Sequence, residues 1–191
     1  MIALFTDFGL SGPYTGQMAA VLRHDAPSVP VVSLFADAPV GSPRPGAYLL
    51  AAYAAWFPPA TVFLSVVDPG VGGARRALIV EASDRLYVGP DNGLFEIVQR
   101  RAGTARCWEI AWQPPSLSAS FHGRDLFAPV AARLARGETC ASLGGPVAPL
   151  RQPDWPDDLA EIVYVDHYGN ALTGLRGSVV PATARLTACG H

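Results

Sequence analysis

The sequence predicts an α/β fold in which a largely parallel sheet is covered by helices and is followed by a small β domain. Three observations lead to this prediction. Apolar runs rich in β-branched residues alternate with helical segments from the N-terminus to about residue 145. A proline-rich stretch covers residues 146–156, and mainly strand-like sequence follows it. We therefore divide the chain into an α/β domain (1–145), a linker (146–158) and a small β domain (159–191).

The first third of the chain shows the alternation most clearly. Residues 2–6, 31–35 and 61–67 have the short apolar pattern of strands, and the last of these is typical of a strand covered on both faces. Helices are predicted at 13–24, where a proline stands near the first turn, and at 46–57, which has almost no polar face. Alternation of this kind favours parallel strands joined by helices.

The remaining elements are less regular. Further strands are predicted at residues 77–82, 86–88, 107–111 and 161–165, and further helices at 93–101 and 121–136. A tight turn at 83–85 joins the first two of these strands, and another turn at 168–170 follows the last. Pro129 lies inside the helix at 121–136, so it either kinks that helix or marks its true start.

The composition excludes several classes of protein. The 191 residues are 50% apolar and 16% charged, which rules out disorder of the whole chain. The net charge of −2 provides no electrostatic surface for a nucleic acid or an anionic membrane, and we expect neither as a partner. All 14 basic residues are arginine. A Walker A loop and a lysine Schiff base are therefore excluded.

The cysteines and the N-terminus predict a cytoplasmic protein. Cys107, Cys140 and Cys189 are odd in number and have no metal-ligand spacing, so we interpret them as reduced thiols. The first residues lack the basic and apolar pattern of a secretory leader. The uncharged apolar stretch at 47–57 is too short to span a bilayer core of about 30 Å.

Four segments place polar residues where a strand ends or a helix begins. They are residues 6–9, 68–76, 89–93 and 121–125. In open α/β sheets ligands bind at the carboxyl ends of the strands, so these segments predict a site along one edge. Each also has a purely structural interpretation, because Asp-Pro-Gly and Pro-Asp-Asn-Gly are common turn sequences. Asp125 could simply complement a helix dipole, and His122 could be an ordinary surface histidine.

Together these segments match one known family. TDFG at 6–9, VVDPGVG at 66–72, PDNG at 90–93, FHGRD at 121–125 and DHYGN at 166–170 occur in this order. The sequence therefore resembles the S-adenosylmethionine (SAM) hydrolases that form adenosine, also called SAM hydroxide adenosyltransferases, over about residues 1–175. Fluorinase and chlorinase belong to the same superfamily.

The resemblance implies hydrolysis of SAM to adenosine and L-methionine without a metal or a cofactor. It also implies a homotrimer with active sites between subunits. Asp68, Arg75 and His122 match the residues that handle the water, and Arg76 is an alternative to the adjacent Arg75. Asp7 matches the carboxylate that holds the ribose hydroxyls.

The small domain is expected to supply further contacts to the substrate. The resemblance assigns Tyr168 and Asn170 to the adenine and methionine side of the pocket, and we add Asp166 and Phe121 to the substrate-binding residues. Gly12 stands where the family usually has an acidic residue that contacts the methionine end. Since the family's small domain continues for several tens of residues, the resemblance implies that residues 159–191 form only the start of it.

Three alternative functions remain open on the sequence alone. A SAM-dependent halogenase is disfavoured, because a halide close to Asp68 would be repelled and because His122 suits water. A non-catalytic protein that binds SAM or adenosine is a second alternative. A metal-dependent hydrolase would use carboxylates as oxygen ligands, namely those of Asp7, Asp68, Asp91 and Asp125.

Overall fold

The computed structural model of the protein describes residues 1–185. Within this range, seven strands form one mixed sheet in the order β2-β1-β3-β5-β4-β6-β7. Their bounds are β1 Ile2–Thr6, β2 Val31–Phe35, β3 Val62–Val66, β4 Ala77–Ala82, β5 Arg85–Pro90, β6 Ala105–Ile110 and β7 Gly144–Pro146. All except β4 and β7 run in the same direction, which confirms the predicted α/β fold with a largely parallel sheet.

Helices cover both faces of this sheet. The α-helices are α1 Tyr14–Asp25, α2 Pro43–Ala54, α3 Glu96–Ala102, α4 Ala128–Ala135 and α5 Cys140–Leu143. One apolar core lies between the sheet and α1, α4 and α5, and a second lies between the sheet and α2 and α3. The sheet is therefore the middle of three layers.

The predicted helix at 121–136 begins with a different geometry. Residues Gly123–Phe127 form a π-helical turn, and the regular helix α4 starts directly after it. Pro129 is the second residue of α4, directly after the π-helical turn, where the helical hydrogen-bond pattern changes. Of the two predicted roles for Pro129, the structure shows the start of the helix.

The hairpin between β4 and β5 has the predicted tight turn. Ser83 and Asp84 have φ values of +49° and +59°, the left-handed conformation that matches the twist of two-residue hairpins. Gly103, which ends α3, also has a positive φ of +71°. Elsewhere the sequence prediction missed α5 and β7, because the Gly-Gly-Pro sequence of β7 lacks the pattern of a strand.

A separate two-stranded antiparallel sheet follows the linker. It consists of β8 (Leu159–Val165) and β9 (Ala171–Gly174), and it packs against α2. Residues Gly177–Val179 then form a 3₁₀ turn where strand-like structure was predicted. Cys189 and the end of the predicted small domain lie outside the described residues. The domain boundaries stay a prediction.

Cys107 and Cys140 are both free thiols. Across residues 1–185, no helix is both long and apolar enough to cross a membrane.

Candidate active site

A cavity of about 170 Å³ lies at the carboxyl edge of β1 and β3. Thr6 of β1 pairs with Val66 of β3, so the loops that follow the two parallel strands begin side by side. Four loops line the cavity through Asp7, Phe8, Val40, Gly41, Val66, Asp68, Pro69, Val71, Ser120, Phe121, His122 and Gly123. The sequence predicted this location from the polar ends of the strands.

Asp68, which lines this cavity, forms a buried ion pair with Arg75. The Arg75 Nε atom donates to both carboxylate oxygens of Asp68 at 3.0 Å, and Arg75 Nη2 donates to Oδ2 at 2.5 Å. Only 4% of the Asp68 side chain and 11% of the Arg75 side chain are exposed. These charge-assisted hydrogen bonds fix the position of the carboxylate.

Arg75 also contacts His122. Its Nη2 atom lies 2.9 Å from His122 Nδ1. A guanidinium can only donate, so Nδ1 must be the unprotonated acceptor, and the neutral imidazole carries its proton on Nε2. Burial and the nearby Arg75 charge lower the pKa of His122, in agreement with a neutral ring.

The guanidinium of Arg75 packs on the aromatic ring of Phe127. The guanidinium carbon lies 5.1 Å from the centre of the Phe127 ring, at the end of the π-helical turn. This cation–π contact holds the guanidinium between Asp68 and His122. Phe127 was not among the predicted site residues, because no signal in the sequence places it against an arginine.

Asp7 also lines the cavity. Its Oδ2 accepts a hydrogen bond from the backbone N–H of Gly41 at 2.8 Å, and its other oxygen has no hydrogen bond to another side chain among residues 1–185. Burial raises the pKa of Asp7, and the negative charge of Asp68 adds to this effect. Since Arg75 compensates Asp68, the site retains one uncompensated carboxylate.

The adjacent Arg76 points elsewhere. Its Nε atom donates to Asp91 at 2.8 Å, and its Nη2 donates to the carbonyl of Ala148. Asn92, the next residue, donates to the carbonyl of Val67 at 2.8 Å and so supports the strand end that carries Asp68. The segment 89–93 therefore has structural roles. Of the two arginines, Arg75 is the one that binds side chains lining the cavity, although it does not line the cavity itself.

Asp125 likewise has a structural role. It accepts from the backbone N–H of Ser118 at 2.9 Å and from Arg124, so it ties together both ends of the loop that carries His122. Among the described residues, no three acidic, histidine or cysteine side chains converge as a metal site. The four carboxylates of the metal-dependent alternative are therefore not brought together.

Phe121 belongs to an aromatic cluster at the wall of the cavity. Its ring packs edge-to-face against Phe8 at 5.7 Å and against Tyr14 at 5.4 Å. The Arg124 guanidinium covers it at 5.1 Å. Phe121 thus offers a rigid apolar surface beside His122.

The turn at 166–170 lies outside this cavity. Asp166 accepts hydrogen bonds from the backbone N–H groups of Tyr168 and Asn170 and from the Asn170 side chain. Asp166 and Asn170 therefore stabilise their own turn, while the Tyr168 ring projects into solvent and is 86% exposed. None of the three lines the cavity of its own chain.

The two loops that carry the reactive groups touch through their backbones. Gly72 has a φ of +77°, and a Cβ atom there would lie 2.2 Å from the carbonyl oxygen of Ala119. Only glycine allows this approach. Ser120 and Val71, which line the cavity beside this contact, were not among the predicted residues, because serine and valine in loops carry no distinctive signal.

Comparison with known proteins agrees with the resemblance found in the sequence. Residues 2–144 match the family described as SAM hydroxide adenosyltransferase N-terminal domain. A protein named (R)-S-adenosyl-L-methionine hydrolase from Salinispora tropica is 40% identical over 197 residues, which cover 96% of this chain and 75% of that protein. A protein of the same name from Thermus thermophilus is 39% identical over 194 residues, which cover 91% of this chain and 74% of that protein.

A solved structure shares the fold. The crystal structure of an uncharacterized conserved protein from Thermotoga maritima matches with a TM-score of 0.85 and 33% identity. The match covers 91% of this chain and 70% of that one. The chain belongs to the SAM hydroxide adenosyltransferase family.

Proposed function

We propose that this protein hydrolyses SAM by attack of water on the C5′ carbon, releasing adenosine and L-methionine. The observation that carries the proposal is that Arg75 joins Asp68 and His122, and that both of these line one cavity together with Asp7. Relatives at 39–40% identity that are named (R)-S-adenosyl-L-methionine hydrolases support it.

The charges of the cavity suit this substrate. The sulfonium of SAM carries a permanent positive charge, and the uncompensated carboxylate of Asp7 makes the cavity attractive to a cation. The free oxygen of Asp7 can accept hydrogen bonds from the ribose hydroxyls, as can Oδ2 beside its bond from Gly41. The ring of Phe121 provides an apolar surface nearby.

The tautomer of His122 decides which of two residues, Asp68 or His122, accepts the proton of the attacking water. Its Nδ1 lone pair is occupied by Arg75, so His122 offers only an Nε2–H donor, which can orient the water oxygen. Asp68 keeps lone pairs beyond those used by Arg75 and can accept the water proton. In this proposal Asp68 is the proton acceptor and His122 positions the water.

The reaction balances without an acid at the leaving group. The water oxygen forms a bond to C5′, and the C5′–S bond breaks with its electron pair remaining on sulfur. Methionine therefore leaves as a neutral thioether, and the proton lost by water passes through Asp68 to solvent. Because no charge develops on the leaving atom, we propose that neither a metal nor a cofactor takes part.

The same geometry argues against a halide as nucleophile. A halide about 4 Å from the Asp68 carboxylate would be opposed by about 4 kcal/mol at an effective dielectric constant of about 20. Arg75 offsets part of this repulsion, but two of its N–H groups are committed to Asp68 and one to His122. A neutral water avoids the repulsion altogether.

The size of the cavity supports a site that a neighbouring subunit completes, as in the homotrimer that the resemblance implies. Sites for molecules of this size usually enclose about 300–1,000 Å³, whereas this chain alone encloses about 170 Å³. We infer that a neighbouring copy closes the site with its exposed 166–170 turn. Tyr168, which is 86% exposed, then packs on the bound substrate.

The free thiols of Cys107 and Cys140 support a location in the reducing cytoplasm.

A direct assay tests the proposed activity. The protein is incubated with each sulfonium epimer of SAM, with and without chloride and with and without EDTA, and the products are separated by HPLC. We expect adenosine and methionine in equal amounts, unchanged by EDTA, and no 5′-chloro-5′-deoxyadenosine. SAM binding without adenosine release would instead identify a non-catalytic binding protein, and the chlorinated product would identify a halogenase.

A further inference from the structure

A second cavity, of about 400 Å³, lies beside α3. Its walls come from α3, from the segment after β7 and from the segment after β9. It shares no lining residue with the candidate active site. Four of its six lining residues are arginines: Arg100, Arg101, Arg151 and Arg176.

Three of these arginines are paired with carboxylates. Arg100 and Arg151 both donate to Glu96, a carboxylate that is only 1% exposed. Arg176 is held by Asp158 at 2.5 Å. These pairs fix the guanidinium groups in the wall of the cavity, but Arg151 and Arg176 each keep one terminal nitrogen that is not used in them.

Arg101 differs from its neighbours. Its Nε atom is buried and has no hydrogen-bond partner within residues 1–185, and none of the ion pairs found in that range includes Arg101. A buried donor without an acceptor is unfavourable, as is a cation without a counter-charge. Burial and the nearby Arg176 charge also lower the pKa of Arg101, and the carboxylates of Asp157 and Asp158 offset only part of this effect.

We propose that this cavity binds a small organic phosphate, with the phosphate group held by Arg101 and by the remaining nitrogens of Arg151 and Arg176. The planar fork of a guanidinium matches the spacing of phosphate oxygens. The cavity is larger than a bare phosphate requires, so its remaining volume accommodates the organic part of the ligand. Phosphate binding gives the terminal nitrogens of Arg101 an acceptor and adds negative charge to a cavity lined by four arginines and one carboxylate, Asp157.

Calorimetry with ribose 5-phosphate, inorganic phosphate and ribose tests this proposal at constant ionic strength. We expect saturable binding of ribose 5-phosphate, weaker binding of inorganic phosphate, and no binding of ribose. The arm with inorganic phosphate separates recognition of the anion from recognition of the organic part. Absence of saturable heat with both phosphates at millimolar concentration would overturn the proposal.

Two variants locate the binding. Arg101→Gln removes the charge but keeps a donor, and it should weaken ribose 5-phosphate binding about tenfold or more. Arg23→Gln makes the same change on an exposed face of α1 and should leave binding unchanged. Circular dichroism checks that both variants are folded. An equal loss of affinity in both variants would show that ribose 5-phosphate binds only through general charge. Unchanged affinity in Arg101→Gln would show that it binds elsewhere.

Should Arg101→Gln not fold, Arg101→Lys provides the second comparison. It keeps the charge and loses the planar fork, so it should bind ribose 5-phosphate more weakly than the wild type. Unchanged affinity in that variant would contradict the assigned role of Arg101.

Discussion

Arg75 joins the two groups that face the proposed water, since it contacts Asp68 and His122 through the same Nη2 atom. The positions of Asp68 and His122 are therefore coupled through the guanidinium of Arg75. Removing the acceptor capacity of Asp68 disturbs both the proton acceptor and the position of Arg75.

Asp68→Asn should lower kcat by about 10²–10⁴-fold, because an amide does not accept the water proton and repels one N–H group of Arg75. The matched control is Asp84→Asn, in an exposed hairpin turn whose positive φ asparagine tolerates. Steady-state adenosine release measures both variants. An Asp68→Asn protein that folds and turns over at the wild-type rate would remove Asp68 from the mechanism.

The pH dependence of kcat/KM should follow His122. Protonation of Nδ1 breaks its bond from Arg75 and places two cations together, so activity falls as the pH drops through the pKa of His122. Burial and Arg75 lower that pKa from its usual value of about 6.5, so the profile should be flat at pH 7–8 and decline only in more acidic solution. The His122→Asn variant should be slower and should lack this acidic limb. The same limb in both proteins would assign it to another group.

Asp7→Asn should raise KM by about 10–100-fold while changing kcat much less, because hydrogen bonds to a charged group contribute about 1.5–3 kcal/mol. SAM lacking the 2′-hydroxyl should bind weakly to the wild type and suffer little additional loss in the variant. This non-additivity distinguishes a direct contact from a general effect of charge. Independent, additive losses would contradict the ribose contact.

At the level of single residues, the sequence predicted the lining of the cavity by Asp7, Asp68 and His122, but it left Arg75 and Arg76 as alternatives. The two are adjacent, and their choice is made by partners distant in sequence: Asp68 for one and Asp91 for the other. Such partners are not visible in a local pattern.

Among the structural elements, the loop after β3 depends on one glycine. Gly72→Ala would place a methyl group 2.2 Å from the carbonyl oxygen of Ala119 at a φ of +77°, so the backbone must move. We expect a loss of about 1–3 kcal/mol in the free energy of unfolding and a lower kcat, since the loop carries Asp68 and Arg75.

Gly16→Ala is the control for this change. Gly16 lies in α1, and a methyl group added there would meet no atom of the surrounding structure within 4 Å. Alanine should therefore stabilise the protein by up to about 1 kcal/mol. Thermal melting and adenosine release compare the two variants. A Gly72→Ala protein as stable and active as the wild type would show that the loop tolerates the shift.

Strands and helices could be predicted where the local pattern of apolar residues matches the burial of the element in the fold. The five residues of β1 and of β3 are fully buried, and their apolar sequences showed this directly. β7 was not predicted, because Gly144–Pro146 forms a strand only by pairing with β6 at the sheet edge. The π-helical turn at Gly123–Phe127 was also missed, since its sequence differs little from that of an α-helical turn.

At the level of the whole molecule, the proposed trimer can be tested by complementation. Tyr168→Ala should be inactive because the turn is missing from the neighbour's site, and it should remain folded because Tyr168 is 86% exposed. Mixed with Asp68→Asn and allowed to exchange subunits, it should regain about one quarter of the wild-type activity, since a random cyclic trimer combines two intact halves at that frequency.

Light scattering establishes the assembly in the same samples, and each variant alone is the control. Activity no greater than the sum of the two separate variants, under conditions where subunits exchange, would show that each site is built from a single chain.

The π-helical turn holds one extra residue between His122 and α4. A π turn holds more residues per turn than an α-helix, so deletion of a single residue within Gly123–Phe127 converts it to regular helix with the hydrogen bonds largely kept. Because the π turn covers nearly the same rotation with one residue more, the segments on its two sides would keep almost the same relative orientation. A deletion that leaves Phe127 in place should therefore keep His122 beside Arg75, while the core around α4 stays packed. The turn is thus a place where the chain can lose a residue without displacing the chemistry.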